Sequence, residues 1–267
     1  MPEGHSIHRY ARQHRRLLRG LPVAASSPQG RFALGAALLD GAVLNDVFPY
    51  GKHLFYRWNN GQTLHVHLGL YGGFRTYDGP PPPPTPGTRL ELRARDKTVR
   101  LAGPTACELL EPGAEVAMRA RLGPDPLHRN VDVEAVWTAL QRRSVPIGAA
   151  LLDQSIVAGV GNVFRAEALF LSGLDPNLPS RQLTREDFDG LWASLVPMMR
   201  EGLRVGSIIT VDPAELGRTR RSPRVEDWRY VYRRTDLPCR RCGTRVVTWV
   251  LATRNAYACP KCQQLGR

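Results

Sequence analysis

Four of the chain's five cysteines stand in two pairs, Cys239-x-x-Cys242 and Cys259-x-x-Cys262, with sixteen residues between the pairs. In a reducing compartment this spacing favours a metal over disulfides, and it fits tetrahedral zinc. Each pair can form a tight knuckle, and the spacer at 246–257 is long enough for one hairpin. A segment this short has too little apolar material to fold alone, so the metal replaces a core. Four thiolates leave no open coordination position, so the expected cofactor is one structural Zn2+ on Cys239, Cys242, Cys259 and Cys262. The hairpin tip carries Arg254, which taken alone is a solvated side chain. Cys107 stands apart and reads as a small buried core residue.

Ahead of this module the apolar pattern changes period. Residues 6–18 set Ile7, Tyr10, Ala11, His14, Leu17 and Leu18 on one helical face, and Gly20 and Pro22 end that helix. From about 40 to 110 the pattern is one of strands. Leu54, Tyr56 and Trp58 alternate, Asn60-Gly61 supplies a hairpin turn, and Leu64, Val66 and Leu68 alternate again. A second hairpin is expected around Asp96-Lys97, between Leu90/Leu92 and Val99/Leu101. Residues 80–84 are all proline and, with Thr85-Pro86-Gly87, form an exposed loop. Short strands with regular turns predict a β-sandwich.

Beyond Leu122-Gly123-Pro124-Asp125-Pro126-Leu127 the chain turns helical. Asp132 caps a helix carrying Val133, Val136, Trp137 and Leu140. Ser144 and Pro146 open a second helix to about Ser155, and Asn162 starts a third that ends before Gly173. Thr184-x-x-Asp187 opens a fourth, with Phe188, Leu191, Trp192 and Leu195 inward and Pro197 expected to kink it. Residues 206–227 are polar, arginine-rich and broken by Gly and Pro, and read as a mobile loop.

A chain of 267 residues suggests two or three domains. It has no run of 18 apolar residues and no apolar signal-peptide core, so no membrane span and a cytoplasmic location are expected. Its formal charge is +13, and among 37 basic residues only Lys52, Lys97 and Lys261 are lysines. Guanidinium groups bind phosphate in a fork. High-GC codon usage alone would enrich arginine, but residues 201–267 hold 14 basic and 6 acidic residues, a concentration that points to nucleic acid.

Two further features carry chemistry. The chain starts Met1-Pro2-Glu3-Gly4-His5. Removal of the initiator methionine would leave Pro2 as a free secondary amine, with an α-amino pKa of about 7.7–8.0. Such an amine attacks an aldehyde-like carbon and gives an iminium directly, and Glu3 can move protons around that carbon. The plain alternative is a frayed terminus. The second feature is the run from Leu151 to Glu167, in which Gly159 and Gly161 can take a positive φ and Asn162 starts a helix whose N–H groups can hold a phosphate. The plain alternative here is a helical hairpin with close packing.

Taken in order, the Met1-Pro2-Glu3-Gly4 start, Gly51-Lys52, His67-Leu68-Gly69, Leu122–Leu127, Asp153-Gln154 with Gly161-Asn162, and the four-cysteine finger resemble the formamidopyrimidine-DNA glycosylase/endonuclease VIII family over essentially the whole chain. The likeness is strongest to the actinobacterial endonuclease VIII branch. It implies an α+β multidomain fold, with an N-terminal β-sandwich and flanking helices (1–120), a helix–two-turn–helix domain (128–227) and a zinc-finger hairpin (228–267). It implies a bifunctional base-excision repair glycosylase and abasic-site lyase. Pro2 would be the nucleophile, Glu3 the acid/base, and Lys52 a contact to the damaged nucleotide. His67, Asn162 and Arg254 would clamp the DNA backbone, and Leu70 and Tyr71 would fill the gap left by the extruded nucleotide. The implied partner is damaged double-stranded DNA, with single-stranded or bubble DNA as a further form, bound by a nucleoid-associated monomer.

Three departures bear on the lesion. Ser6 stands at the family's second glutamate, Ser155 at a lysine of the formamidopyrimidine branch, and Arg100-Leu101-Ala102-Gly103-Pro104-Thr105 at that branch's Arg-Arg-Phe-Gly loop. They point to oxidised pyrimidines, with 8-oxoguanine as the alternative. Two readings from other classes compete. A non-catalytic damaged-DNA-binding protein is argued against by intact Pro2, Glu3 and Lys52, and an N-terminal-proline tautomerase would need neither the finger nor the basic C-terminal quarter.

Overall fold

The computed structural model describes residues 2–216 and 227–266, and the chain divides into two compact units, Met1–Arg121 and Leu122–Arg267. Met1, whose removal the proline chemistry requires, and residues 217–226 of the expected mobile loop lie outside the described residues.

The first unit opens with α1 (Gly4–Leu18), which buries Ile7, Ala11, His14 and Leu18 along one stripe. Two four-stranded antiparallel sheets follow. One has the order β2 (Leu44–Tyr50), β3 (His53–Trp58), β4 (Thr63–His67), β8 (Ala106–Leu110). The other runs β1 (Ala24–Ser26), β6 (Thr88–Ala94), β7 (Lys97–Ala102), β5 (Gly73–Asp78). The expected β-sandwich is present. Leu54, Tyr56, Trp58, Leu64 and Val66 from the first sheet share one core with Leu90, Leu92, Val99 and Leu101 from the second and with the buried stripe of α1. Burying one such leucine contributes about 1.5–3 kcal/mol, and truncating it to alanine costs about 2–5 kcal/mol. Both expected hairpins form, in register Tyr56↔Leu64 and Leu92↔Val99.

A polar pair sits in the core. His14 Nδ1 lies 2.7 Å from the Tyr56 hydroxyl, both groups buried. Burial pushes the His14 imidazole down to about 3 and raises the Tyr56 phenol well above its ordinary value. Cys107 is half-buried on the edge strand β8 and packs against the core from there, so it is less enclosed than expected, although burial still lifts its thiol to about 12. Two short helices, α2 (Ala33–Leu39) and α3 (Ala114–Ala120), have no counterpart in the sequence reading. In α2 every residue is apolar or glycine, and Leu34 and Leu38 are exposed, so no apolar-polar period marks it.

In the second unit Asp132 caps α4 (Val133–Gln141) by accepting the Ala135 N–H at 2.9 Å. The helix expected from Ser144 to Ser155 is much shorter: α5 covers only Ile147–Ala150. Side chains compete with the helix beyond it. Asp153 accepts the backbone N–H of Ser155 at 2.9 Å and its hydroxyl at 2.7 Å. Gln154 donates to the carbonyls of Leu152 and Val160 and accepts from Gly159 N at 3.0 Å. Gly159 takes a φ of +91°, as the turn requires, whereas Gly161 is extended at φ −123° and serves as N-cap of α6 (Asn162–Leu171). Nearly every residue of α6 is buried, which makes it the central element of this unit. α7 (Arg185–Val205) starts with a complete Thr184/Asp187 capping box and continues through Pro197.

The cysteine segment forms one hairpin, β9 (Val247–Leu251) and β10 (Arg254–Ala258). Cys239, Val246, Tyr257 and Cys259 belong to the same buried cluster as Phe164, Phe170, Leu191 and Met199 of the helices. The finger is therefore packed on the helical core. The described part of the 206–227 stretch is also tied down. Ile208 and Val211 are buried, and Thr210 N donates to Trp228 O at 2.7 Å. No described helix is long and apolar enough to cross a membrane.

Candidate active site

In the first unit the expected residues gather at helix and strand ends. Glu3 is the N-cap of α1, extended at φ −126°, fully buried, with its carbonyl accepting from Ser6 N at 2.9 Å. Pro2 precedes it and is half-buried. Ser6, at the departure from the family pattern, lies 3.1 Å from His5 Nε2 through its hydroxyl.

Lys52 sits in the two-residue turn between β2 and β3, directly before the pair His53↔His67. His67 ends β4, and its Nδ1 accepts the Gly69 N–H at 3.2 Å. That acceptor role places the His67 proton on Nε2, a single donor. Burial first, then His65 and the Lys52 ammonium, lower the His67 pKa, so the ring is held neutral. After Leu68 the chain turns sharply. A side chain on Gly69, at φ +65°, would meet Thr105 Oγ1 at 1.9 Å, so only glycine fits. The turn lifts the next two side chains outward: Leu70 is 44% and Tyr71 91% exposed.

A histidine chain behind this edge was not singled out from the sequence. His65 Nδ1 lies 2.9 Å from Glu108 Oε1, and His53 Nδ1 lies 2.9 Å from His65 Nε2. An ionised Glu108 only accepts, so His65 donates through Nδ1 and accepts at Nε2, and His53 donates to it. Burial, the two histidine neighbours and Lys52 push His53 down to about 3. The available signal was strand alternation: His65 and His67 share one face of β4, across the pairing from Phe55 and His53 of β3.

In the second unit Asn162 begins α6 and donates from Nδ2 to the Asn255 carbonyl at 3.1 Å. Its Oδ1 is buried with no hydrogen-bond partner. Arg165, fully buried, donates to the same carbonyl at 2.7 Å and to Gly148 O at 3.2 Å. Arg254, next to Asn255, is exposed at the first position of β10. The turn before it places Ala252 and Thr253 at φ +50° and +63°, a left-handed conformation that is strained for these residue types. Asn162 and Arg254 are thus brought to neighbouring positions.

Glu167 was also missed. Its buried carboxylate accepts from Tyr230 N, Val231 N and Tyr232 N at 2.8–3.0 Å and from the Thr210 hydroxyl. A glutamate two residues after an arginine in an apolar helix is the only trace of it in the sequence.

The four cysteine sulfurs lie within 4.8 Å of one another, with Cys239–Cys262 at 3.9 Å and Cys242–Cys259 at 3.4 Å. Thiolates about 2.3 Å from a tetrahedral zinc are about 3.8 Å apart, so the set fits one structural zinc.

Family comparisons cover both units. The family model described as "Formamidopyrimidine-DNA glycosylase N-terminal domain" matches residues 1–105, "Formamidopyrimidine-DNA glycosylase H2TH domain" matches 122–213, and "Zinc finger found in FPG and IleRS" matches 236–265. "Endonuclease 8 1" of Mycobacterium tuberculosis (strain ATCC 25618 / H37Rv) is 44% identical over 268 residues, covering 98% of this chain and 100% of the relative. The chain belongs to the formamidopyrimidine-DNA glycosylase/endonuclease VIII family.

The "Formamidopyrimidine-DNA glycosylase" of Thermus thermophilus is 33% identical over 86% of each chain. A crystal structure of the MutM (Fpg) protein from the same species aligns over 100% of both chains at TM-score 0.79 and 30% identity. The Lactococcus lactis Fpg in complex with an abasic site containing DNA aligns at TM-score 0.82 over 98% of this chain and 99% of that one, and at 22% identity it shows the fold alone. Membership makes the protein an enzyme of the DNA glycosylase class that also acts as a lyase at abasic sites.

Proposed function

We propose that this glycosylase removes oxidised pyrimidines from damaged DNA through a Schiff base on Pro2. The observation that carries the reading is the helix start: Glu3 is buried in the N-cap of α1 and Pro2 stands immediately before it. A target carbon inside a stacked duplex is out of reach, so the damaged nucleotide is extruded and the exposed pair Leu70 and Tyr71 fills the gap. The neutral Pro2 amine attacks the sugar C1′ and the bond to the base breaks, with Glu3 assisting ring opening and proton transfer. The resulting iminium acidifies the C2′ proton. Loss of that proton expels the 3′ phosphate, and a second elimination expels the 5′ phosphate. Lys52 contacts the nucleotide, and His67, Asn162 and Arg254 hold backbone phosphates, which gives affinity without sequence preference.

The preference for pyrimidines is supported by Arg100. It lies in β7, is buried, and is engaged by Glu91 and by the Pro82 carbonyl at 2.6 Å. It is therefore committed to partners of its own domain on the outer face of the sheet, and an opposite cytosine would lack a bidentate reader. Trapping with borohydride on abasic DNA tests the nucleophile. Mature protein should cross-link, and protein with a verified uncleaved N-terminal extension should not. Full trapping by the extended protein would overturn the assignment.

A further inference from the structure

A polar chain that the chemistry of Pro2 and Glu3 does not use runs beside Lys52 and His67. Glu108 of β8 stands directly across from His65 of β4, and His53 of β3 stands across from His67 of β4. These side chains lie on the sheet face turned away from the sandwich core, which takes Leu54, Leu64 and Val66 from the same strands. His53 Nδ1 and His65 Nε2 are 2.9 Å apart, and the His53 and His67 ring centres 5.1 Å. The chain therefore runs from an exposed carboxylate on the edge strand, through a buried imidazole, to the residue that follows Lys52.

The direction of the chain is set at the carboxylate end. Glu108 accepts from His65 Nδ1, so His65 Nε2 is unprotonated and accepts from His53 Nδ1. A neutral imidazole carries one N–H, so His53 Nε2 is an acceptor as well. The two nitrogens of one ring point in nearly opposite directions, so this lone pair faces away from His65. A DNA phosphate has only acceptors to offer it, whereas the Lys52 ammonium has three donors. Burial and the neighbouring histidines lower the pKa of His53 and His67, and the Lys52 charge adds to both, which places the ammonium near these rings. Gly51, at φ +55°, makes the two-residue turn closed by Tyr50↔His53, so the Lys52 backbone is fixed and only its side chain needs orienting. We infer that Glu108 is a positioning residue: through His65 it keeps His53 Nε2 an acceptor, and this acceptor holds the Lys52 ammonium in place for the damaged nucleotide. The inference rests on the reading of Lys52 as a nucleotide contact. It engages one N–H of the ammonium and leaves the others for the DNA.

The test reverses the chain in the full-length protein. A lysine only donates, so in Glu108→Lys His65 accepts at Nδ1 and donates from Nε2, and His53 then carries its proton on Nε2. The Glu108 side chain is 54% exposed, so the substitution buries no charge. Imidazole nitrogen NMR spectra should show His53 and His65 protonated on Nδ1 in the wild type and in Glu108→Gln, whose amide oxygen still accepts, and on Nε2 in Glu108→Lys. Single-turnover borohydride trapping on an abasic duplex, at saturating protein, should be about tenfold slower in Glu108→Lys and return to within about twofold of wild type in Glu108→Gln. Added positive charge by itself strengthens DNA binding, so the loss runs against the electrostatic trend. In a His53→Phe background Glu108→Lys should cost nothing further, because the chain is already cut. An unchanged His53 tautomer in Glu108→Lys, wild-type trapping despite a reversed tautomer, an equal loss in Glu108→Gln, or a full further loss behind His53→Phe would each overturn the positioning role. A wild type that does not trap at all would instead overturn the Pro2 reading, and the role of Lys52 with it.

Discussion

Asn162 Nδ2 lies 3.1 Å from the carbonyl oxygen of Asn255, the residue that follows Arg254. The first residue of the buried helix α6 therefore holds the hairpin at the point where its exposed arginine emerges. A side-chain amide carries two donor protons, so one can grip the hairpin while the other serves a phosphate. The two proposed clamps form one mechanical unit.

Arg254→Ala and Asn162→Ala should then differ in how binding depends on salt. Losing one cationic phosphate contact makes the slope of log K against log[salt] shallower by about 0.9 on duplex DNA. Arg254→Ala should show that change. Asn162→Ala should lower affinity for all sequences alike, by about tenfold, with the slope unchanged. Titrations at four or more salt concentrations check both, and a change of base preference at constant affinity would contradict the clamp.

Arg165→Met should destabilise the second unit by about 3 kcal/mol. The substitution removes a buried cation and leaves the Asn255 and Gly148 carbonyls short of a donor. Denaturant unfolding, read as the change in midpoint at constant slope, measures it.

Removing the metal should act locally. Cys242→Ala, or a strong chelator, should release the hairpin and with it Arg254, because the finger lacks a core of its own. DNA binding should fall while the β-sandwich unit stays folded. Metal analysis of the purified native protein should give one zinc per chain, and a value near zero would contradict the assignment.

Acid should destabilise the first unit well above the range where carboxylates titrate. His14 and His53 are held at about 3 in the folded chain, against an ordinary 6.5. Between these values the unfolded state binds more protons than the folded one, so stability rises with pH across the window and falls as pH drops from about 6.5 towards 3. At pH 5 one such histidine costs about 2 kcal/mol. Thermal melts from pH 7 to pH 4 should drop steeply, and His14→Gln should flatten the dependence even if it lowers the melt at pH 7.

Lesion choice is checked by single-turnover rates on matched duplexes. Thymine glycol, 5-hydroxyuracil and dihydrouracil should be excised with little dependence on the opposing base. Faster removal of 8-oxoguanine opposite cytosine than of every oxidised pyrimidine would promote the alternative reading.

What was legible in the sequence followed from short-range rules. The hairpin alternation of Leu54 to Val66, the Asp132 cap, the Thr184 capping box and the cysteine knuckles each need only a few neighbouring residues, and all appear as expected. The misses have a different origin. Asp153 and Gln154 end α5 by bonding backbone that a helical pattern assumes is already satisfied. The His53–His65–Glu108 chain joins three strands, two of them 43 residues apart in sequence at the His65–Glu108 contact. Glu167 finds its partners more than 40 residues downstream. Such pairings depend on the assembled fold: alternation puts His65 and His67 on one face of β4 but does not name their partners.

Glu167 has one more consequence. Its carboxylate receives donors from Thr210 on one side of residues 217–226 and from residues 230–232 on the other. Thr210 and residues 230–232 thus share one anchorage that the helical core supplies. The segment that leads into the finger is therefore bound to α6 through three backbone N–H groups on one buried carboxylate, a tie that does not depend on the cysteines.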